Sequence, residues 1–472
     1  VNVSGTRHLP LLVRDGPFFR DVPTETIMGE KIILLIGAGR SSAHLVRYLL
    51  NHATAERWKI RVGEMDVEGA RKRIGEAAAL EIFELDARDQ ESRFRALASS
   101  DLVISMLPAA LHIEVVRDCL VLRRNVITPS YVPDAMWPLH SEAQHAGVLL
   151  LNEMGVDPGI DHMSAMRIID RIRAEGGEVT HFESYTGGLV APASDTNPWH
   201  YKVTWNPRNV VLAGAGGPAS FRQEGELKFI PYTQLFTRVA AVEVPGYGSF
   251  EGYANRDSLS YRETYGLQDA ATLLRGTLRK EGFCAAWNAL IQIGLTDDTL
   301  HLPDPESLTW RMLTAAFSPE PSQRDPKSVF IDRFGWTPEV VGRLEWLGIF
   351  DDIPLGITEG TPAQALQRLI EERWKLEPED RDLLVMWHGF RYRKDDRMMS
   401  LRSWLAVEGE DEVYTAMSRT VGLPIGIAAR CILSGEWRFT GIMLPTHESI
   451  YGAVLTELEQ YGVVFHEEFT TG

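Results

Sequence analysis

Between Lys31 and Glu153, short apolar runs alternate with stretches of helical period. The runs are Lys31–Ile36, Lys59–Glu64, Glu81–Leu85, Leu102–Met106, Asn125–Thr128 and Val148–Asn152. Between them, Ser42–Leu50, Val67–Ala78, His112–Leu122 and Pro138–His145 read as helices; Val115, Val116, Cys119 and Leu122 recur on one helical face. Strands alternating with helices predict parallel strands joined by crossover helices. The expected fold class is α/β, a Rossmann-type doubly wound parallel sheet over residues 31–155.

After Gly155 the pattern changes. Val179–Tyr185 reads as a strand, and glycines, aromatics and prolines are frequent as far as Arg256. This predicts an α+β domain. Residues 262–380 read mostly as helix, with Ala270–Lys280, Ala285–Ile293, Glu339–Leu347 and Pro362–Trp374 as examples. Pro303, Pro305, Pro319, Pro321 and Pro326 mark loops between them. Trp387–Tyr392 and Met399–Ala406 predict a hairpin around Lys394, Asp395 and Asp396. Ala416–Leu433 predicts a helix interrupted at Gly422 and Pro424, and Ser449–Tyr461 a last helix. The first 30 residues hold Pro10, Pro17 and Pro23 without a cleavable apolar core, and read as an irregular extension, not a signal peptide.

Composition narrows the partners. With 472 residues, 44% hydrophobic and 24% charged, the chain fits two to four ordinary globular domains. A net charge of −17 argues against nucleic acid and against an anionic membrane, but leaves an anionic substrate possible within a cleft. No apolar run reaches the ~18 residues of a membrane span. Cys119, Cys284 and Cys431 are far apart and form no CxxC, so no disulfide framework and no metal site is expected. Reduced thiols suit a cytoplasmic protein.

The sharpest local signal is Gly37-Ala38-Gly39-Arg40-Ser41-Ser42, between a buried run and a helical stretch. The first glycine permits a tight turn, the second lets backbone approach a pyrophosphate, and the helix N-terminus offers free N–H groups to phosphate. Ser42 stands at the third small position. The second strand ends at Glu64, with Asp66 behind it; an acid there accepts from a ribose 2′-OH and favours NAD over NADP.

Further motifs end the later strands: Ile104-Ser-Met-Leu-Pro108, Thr128-Pro-Ser-Tyr131 and Asn152-Glu-Met-Gly-Val-Asp-Pro-Gly-Ile-Asp-His162. Ser184-Tyr-Thr-Gly-Gly188, Asn255-Arg-Asp257 and Arg275-Gly-Thr-Leu-Arg279 follow. Together they resemble saccharopine dehydrogenase of the L-glutamate-forming type (saccharopine reductase), from about residue 31 to the C-terminus. The resemblance implies a hydride-transferring enzyme of lysine metabolism with NAD(P), NADP being the family's preference, and a homodimer. It implies a Rossmann domain, an α/β substrate and dimer domain built from 156–261 and 381–445, a helical domain over 262–380, and residues 446–472 returning to the Rossmann domain. Two positions depart from fungal members: Glu64 stands where they carry an arginine, and Thr186 where they carry a cysteine.

Saccharopine is a secondary amine with three carboxylates and a primary amine, so its site needs cations, a proton-moving group and a dry slot for nicotinamide. Asp157 is the expected acid/base and a substrate contact, although Asp-Pro-Gly also fits a helix N-cap. Asp161 and His162 are weaker candidates. Ser130 and Tyr131 offer hydroxyls, and Arg256 and Arg279 offer guanidinium forks for carboxylates, with Thr277 between. The resemblance adds Leu107, Pro108, Val156 and Asn206 as cofactor contacts. Trp199, Tyr201 and Trp205 read as packing, or as a roof over the cleft. Two other functions fit the same fold: an imine reductase of the carboxynorspermidine or homospermidine synthase type, and a catalytically silent NAD(P)-binding regulator.

Overall fold

The computed structural model describes residues 29–320 and 324–471, so the expected extension over residues 1–30 lies almost wholly outside the described residues. The six apolar runs are strands: β1 (Lys31–Ile36), β2 (Trp58–Glu64), β3 (Leu80–Glu84), β4 (Leu102–Ser105), β5 (Asn125–Ile127) and β6 (Leu149–Leu151). They pair in parallel in the order β6-β5-β4-β1-β2-β3. The order reverses between β1 and β4, and ligands of such sheets bind in the crevice beyond the strand ends at that switch point.

A second sheet holds β7 (Glu178–Val190), β8 (Ala219–Gln223), β9 (Glu226–Ile230), β10 (Val239–Val244), β11 (Gly248–Ala254), β12 (Thr272–Arg279), β13 (Asp382–Lys394) and β14 (Arg397–Glu408). Its central path runs β10-β11-β12-β7-β13-β14, with the β8–β9 hairpin attached to β12. The predicted hairpin turns at Asp395 and Asp396, both left-handed, as a two-residue turn between right-twisted strands requires.

The helix expected over Ala270–Lys280 is instead strand β12, parallel to β7 and antiparallel to β11. Leu273, Leu274 and Leu278 imitate helical spacing, but the side chains alternate. Leu274 and Leu278 pack into the core shared with the helical region, while Leu273 joins the core on the Rossmann side. Arg275, Thr277 and Arg279 therefore share the face of Leu273. Pairing with two neighbours overrides the local preference. Helix prevails only from Phe283, through Phe283–Ile293, Pro338–Leu347 and Pro362–Arg373 around Trp199, Trp287 and Trp374.

The chain then crosses back twice. Gly441–Met443 forms β15, which pairs in parallel with β6 as the seventh strand of the first sheet, not with the second sheet as expected. His466–Thr471 forms β16, which pairs with β14. The final helix, Glu448–Gln460, packs its Tyr451 against Asp170 of the helix Ile160–Ala174, so the tail is divided between the lobes instead of returning whole to the Rossmann domain.

The helix Ala416–Leu433 runs unbroken through Gly422 and Pro424. Gly422 is required by contact: a Cβ there would lie 2.8 Å from Leu45 N, on the helix Ala43–Glu56 that follows β1. With 18 residues and mean hydropathy 1.2 it is long and apolar enough to cross a membrane, but 78% of it is buried in this fold.

Candidate active site

β1 runs into Gly37, whose φ of 91° belongs to the left-handed region; a side chain there would meet Met106 O at 3.1 Å. Gly37 N–H donates to Gly63 O at 3.0 Å, tying the turn to β2. At Gly39 nothing lies within 4 Å of a would-be Cβ, leaving open space for a pyrophosphate. Ser42 is buried and donates its hydroxyl to Gly39 O at 2.7 Å, which closes the turn. The helix Ala43–Glu56 carries no acid in its first turn, so its N-terminus keeps its positive end toward the turn. Ala38 is buried and Ser41 half-buried; Arg40 is exposed and donates to Val203 O at 3.0 Å. These features fit a dinucleotide phosphate.

Glu64 ends β2 against this turn. Its Oε2 accepts from Ala38 N at 2.7 Å and its Oε1 from Met65 N at 2.8 Å, while Arg73 donates to Ala38 O. Leu107 is half-buried and Pro108 exposed just beyond β4, and Val156 is buried beyond β6. Asn206 is exposed and caps the short helix Pro207–Val211, accepting from Arg208 N at 2.9 Å.

Beyond β5 and β6 the carboxyl ends gather a buried ionic cluster. Asp157 Oδ1 accepts from Tyr131 OH at 2.9 Å and from Arg275 Nη2 at 2.8 Å. The same Nη2 reaches Asp161 Oδ2 at 2.6 Å and Tyr131 OH at 3.2 Å. Tyr261 stacks under the guanidinium, 4.2 Å from its centre. The N-cap reading of Asp157 is not met: Gly159 takes that position, and its N–H is held by Asp161 Oδ1 at 2.6 Å. Asp157 therefore makes its contacts with Tyr131 and Arg275 and not with the helix start.

The two acids are driven apart. Burial, with Asp161 nearby, pushes the Asp157 carboxyl above its ordinary range despite Arg275. Burial also pushes Asp161 up, but His162, Arg275 and the Gly159 N–H outweigh it and hold Asp161 below that range. Two acids whose proton affinities are pushed apart are the arrangement that acid/base chemistry needs. Behind Asp161, His162 Nδ1 meets Tyr265 OH at 2.6 Å, and its Nε2 lies 2.9 Å from Glu153 Oε2.

Ser130 is fixed by a residue that sequence reasoning missed. His112 Nε2 lies 2.8 Å from Ser130 Oγ, and Nδ1 lies 2.8 Å from Ser105 Oγ. Burial pushes His112 down to about 4, so the ring is neutral at pH 7. Arg275 was missed as well. Its signal was the alternation Arg275, Thr277, Arg279, which on a strand puts all three on one face.

At the far end of β12, Arg279 is 4% exposed and has no ion-pair partner among the described residues. Its Nη1 donates only to Leu278 O at 2.9 Å, and Nε has no partner. The rings of Tyr201, Phe283 and Tyr253 surround it at 5.1, 5.3 and 5.9 Å. Thr186 Oγ1 and Tyr201 OH are also buried without partners, and Thr186 faces Thr277 across the β7–β12 pair. An unpaired buried guanidinium costs several kcal/mol, and an anion is the group whose chemistry fits this pocket. Arg256 is not gathered into either cluster. It lies exposed at φ 41°, next to Asn255, whose N–H donates to Arg275 O at 2.8 Å.

Two family models cover most of the chain: "Saccharopine dehydrogenase NADP binding domain" over residues 33–151 and "Saccharopine dehydrogenase C-terminal domain" over 155–463. Saccharopine dehydrogenase [NADP(+), L-glutamate-forming] of Pyricularia oryzae is 32% identical over 93% of this chain and 99% of its own length. Mouse mitochondrial alpha-aminoadipic semialdehyde synthase is 33% identical over 93% of this chain and 48% of its own, so the chain spans about half of that relative. The structure of apo saccharopine dehydrogenase (L-Glu forming) from Saccharomyces cerevisiae superposes with a TM-score of 0.82 at 29% identity, over 93% of this chain and 100% of that one. The glycine turn, the ionic cluster and these matches lead to one assignment: the chain belongs to the saccharopine dehydrogenase family.

Proposed function

We propose that the chain interconverts saccharopine with L-glutamate and 2-aminoadipate 6-semialdehyde by hydride transfer to or from a nicotinamide dinucleotide. The carrying observation is the contrast along β12. Arg279 is a buried cation without a counter-ion, and Asp157 is a half-buried acid held by Arg275, which lies four residues before Arg279 on the strand. Four strand residues span about 13 Å, a length suited to a polyacid with a reacting amine at one end and a carboxylate at the other.

Arg279, with Thr277 and Thr186, seats a distal carboxylate, and the surrounding rings keep water away. Exposed Arg256 covers a second carboxylate from the rim. Asp157 faces the secondary amine and takes its proton, with Tyr131 orienting the carboxylate. Ser130, held by His112, fixes substrate or cofactor oxygens. The Gly37–Ser42 turn would hold the dinucleotide's phosphates, and the bound nicotinamide would supply the hydride chemistry at the carbon beside that nitrogen. Water adds to the resulting imine, and the carbinolamine collapses to aldehyde and L-glutamate, with Asp157 returning a proton to the leaving nitrogen. An imine reductase of the carboxynorspermidine or homospermidine type handles at most one carboxylate and does not need both Arg256 and Arg279, and a silent regulator has no use for a proton-exchanging Asp157.

Glu64 decides the choice of dinucleotide in this reading. Its carboxylate, locked between two backbone N–H groups, accepts from a ribose 2′-OH and repels a 2′-phosphate. NAD is therefore the expected partner even though the family model is named for NADP. Three free, buried cysteines support a reducing, cytoplasmic setting. The apolar Leu227, Phe229 and Val239, exposed beside edge strand β10, support a homodimer.

The test is absorbance at 340 nm with saccharopine and each oxidised dinucleotide in parallel, with L-glutamate assayed as product. Reduced cofactor and L-glutamate are expected to appear one for one, faster with NAD. No absorbance with either rejects the reading.

A further inference from the structure

Asp161 is one of the most enclosed charges in the molecule, at 1% exposure, and catalysis as derived above does not use it. Its contacts continue as a row of polar side chains. Glu153 lies against His162, His162 Nδ1 lies 3.4 Å from Asp161 Oδ2, Asp161 holds Arg275, and Arg275 holds Asp157. One nitrogen, Arg275 Nη2, serves Asp161 at 2.6 Å and Asp157 at 2.8 Å, and the shorter contact goes to Asp161. A guanidinium devoted to Asp157 alone would hold it as a permanent carboxylate, useless for moving a proton.

We propose that Asp161 is a positioning residue that shares Arg275 with Asp157, so that the guanidinium orients the Asp157 carboxylate without claiming it and leaves it able to exchange a proton with the substrate. The geometry holds Asp161 in place independently of Arg275: its other oxygen accepts from Gly159 N at 2.6 Å, at the start of the helix that carries it. The groups facing Asp157 come from every neighbouring element. Tyr131 follows β5, Arg275 is on β12, Asp161 and His162 are on the helix Ile160–Ala174, and Tyr261 and Tyr265 belong to the turn before β12. Of these, Arg275 and His162 favour the ionised form of Asp157 and Asp161 opposes it, in agreement with the raised proton affinity of Asp157.

Removing the Asp161 charge deletes a repulsion and frees the guanidinium. Both effects make Asp157 easier to ionise, so their signs agree. This inference rests on the proposed role of Asp157, and the test separates the two. The first readout is the acidic limb of kcat/KM for saccharopine oxidation, where protonation of the base ends activity. The second is the titration of the Asp157 carboxyl by carbon-13 NMR in the ligand-free protein, with the signal assigned by its loss in Asp157→Asn. Asp161→Asn is expected to move both to lower pH by about one unit. Arg275→Gln is expected to move both upward by about one unit, and either variant decides the matter if the other does not fold. A protein with no saccharopine turnover but with the expected NMR shifts would keep the sharing and discard the catalytic reading. A titration unmoved in Asp161→Asn, or moved upward, overturns the proposal and leaves Asp161 a structural anchor.

Discussion

β12 places the same cation at two points and surrounds it in opposite ways. Arg275 is matched through its Nη2 by Asp157, Asp161 and Tyr131. Arg279 has its own strand's carbonyl and three aromatic rings, with no acid among the described residues. Both are buried, so exposure does not separate them. The difference lies in counter-charge: a guanidinium matched by protein carboxylates organises those carboxylates, and one left unmatched waits for a ligand's carboxylate. In the proposed function the first cluster handles protons and the second handles recognition.

The largest effect should come from the charge-matched end. Asp157→Asn is expected to lower kcat by about 10²–10⁴-fold with the dinucleotide Kd unchanged, measured by steady-state kinetics and calorimetry. The same variant has a pH signature in stability. Asp157 binds its proton more tightly folded than unfolded, mainly through burial, so wild-type protein loses stability as pH rises past the unfolded value near 3.8. Asp157→Asn should therefore melt higher than wild type at pH 8, with the gap closing toward pH 4. A gap that widens on acidification would contradict the direction given for Asp157.

Replacing each arginine by methionine comes next. Arg275→Met strands two buried carboxylates and should cost about 3–5 kcal/mol in urea unfolding. Arg279→Met strands none and should be neutral or stabilising, because the native protein already bears the burial of an unmatched charge. Equal losses at both positions would erase the distinction between the two ends. The smallest effect is expected at Thr186, whose hydroxyl is buried without a partner. Thr186→Val should leave stability unchanged or improved, while raising the saccharopine KM about five-fold through one lost hydrogen bond. An unaltered KM would remove Thr186 from the seat.

Much of this was legible in the sequence where the signal is local. The Gly37–Ser42 turn, the six parallel strands and the Asp395–Asp396 hairpin follow from residue spacing and turn chemistry alone. Asp157 stands out as a candidate because Asp-Pro-Gly follows a strand end, but the capping role that motif also suggests goes to Gly159, which only the folded turn reveals. β12 was read as helix since leucine spacing is ambiguous over eight residues. That error hid Arg275, because the shared face of Arg275, Thr277 and Arg279 exists only on a strand. β15 has three residues, too few for a period, and finds β6 some 290 positions away. His112 was passed over because its partners Ser105 and Ser130 lie on other strand ends, and a buried histidine's role depends on what meets it in space.

The most direct measurement is calorimetric titration of saccharopine into wild-type and Arg279→Ala protein, each loaded with reduced dinucleotide, which cannot accept a hydride. The account predicts affinity about 100-fold weaker in the variant, with dinucleotide binding the same in both. Equal saccharopine affinity would contradict it, since the buried guanidinium would then not be a carboxylate seat.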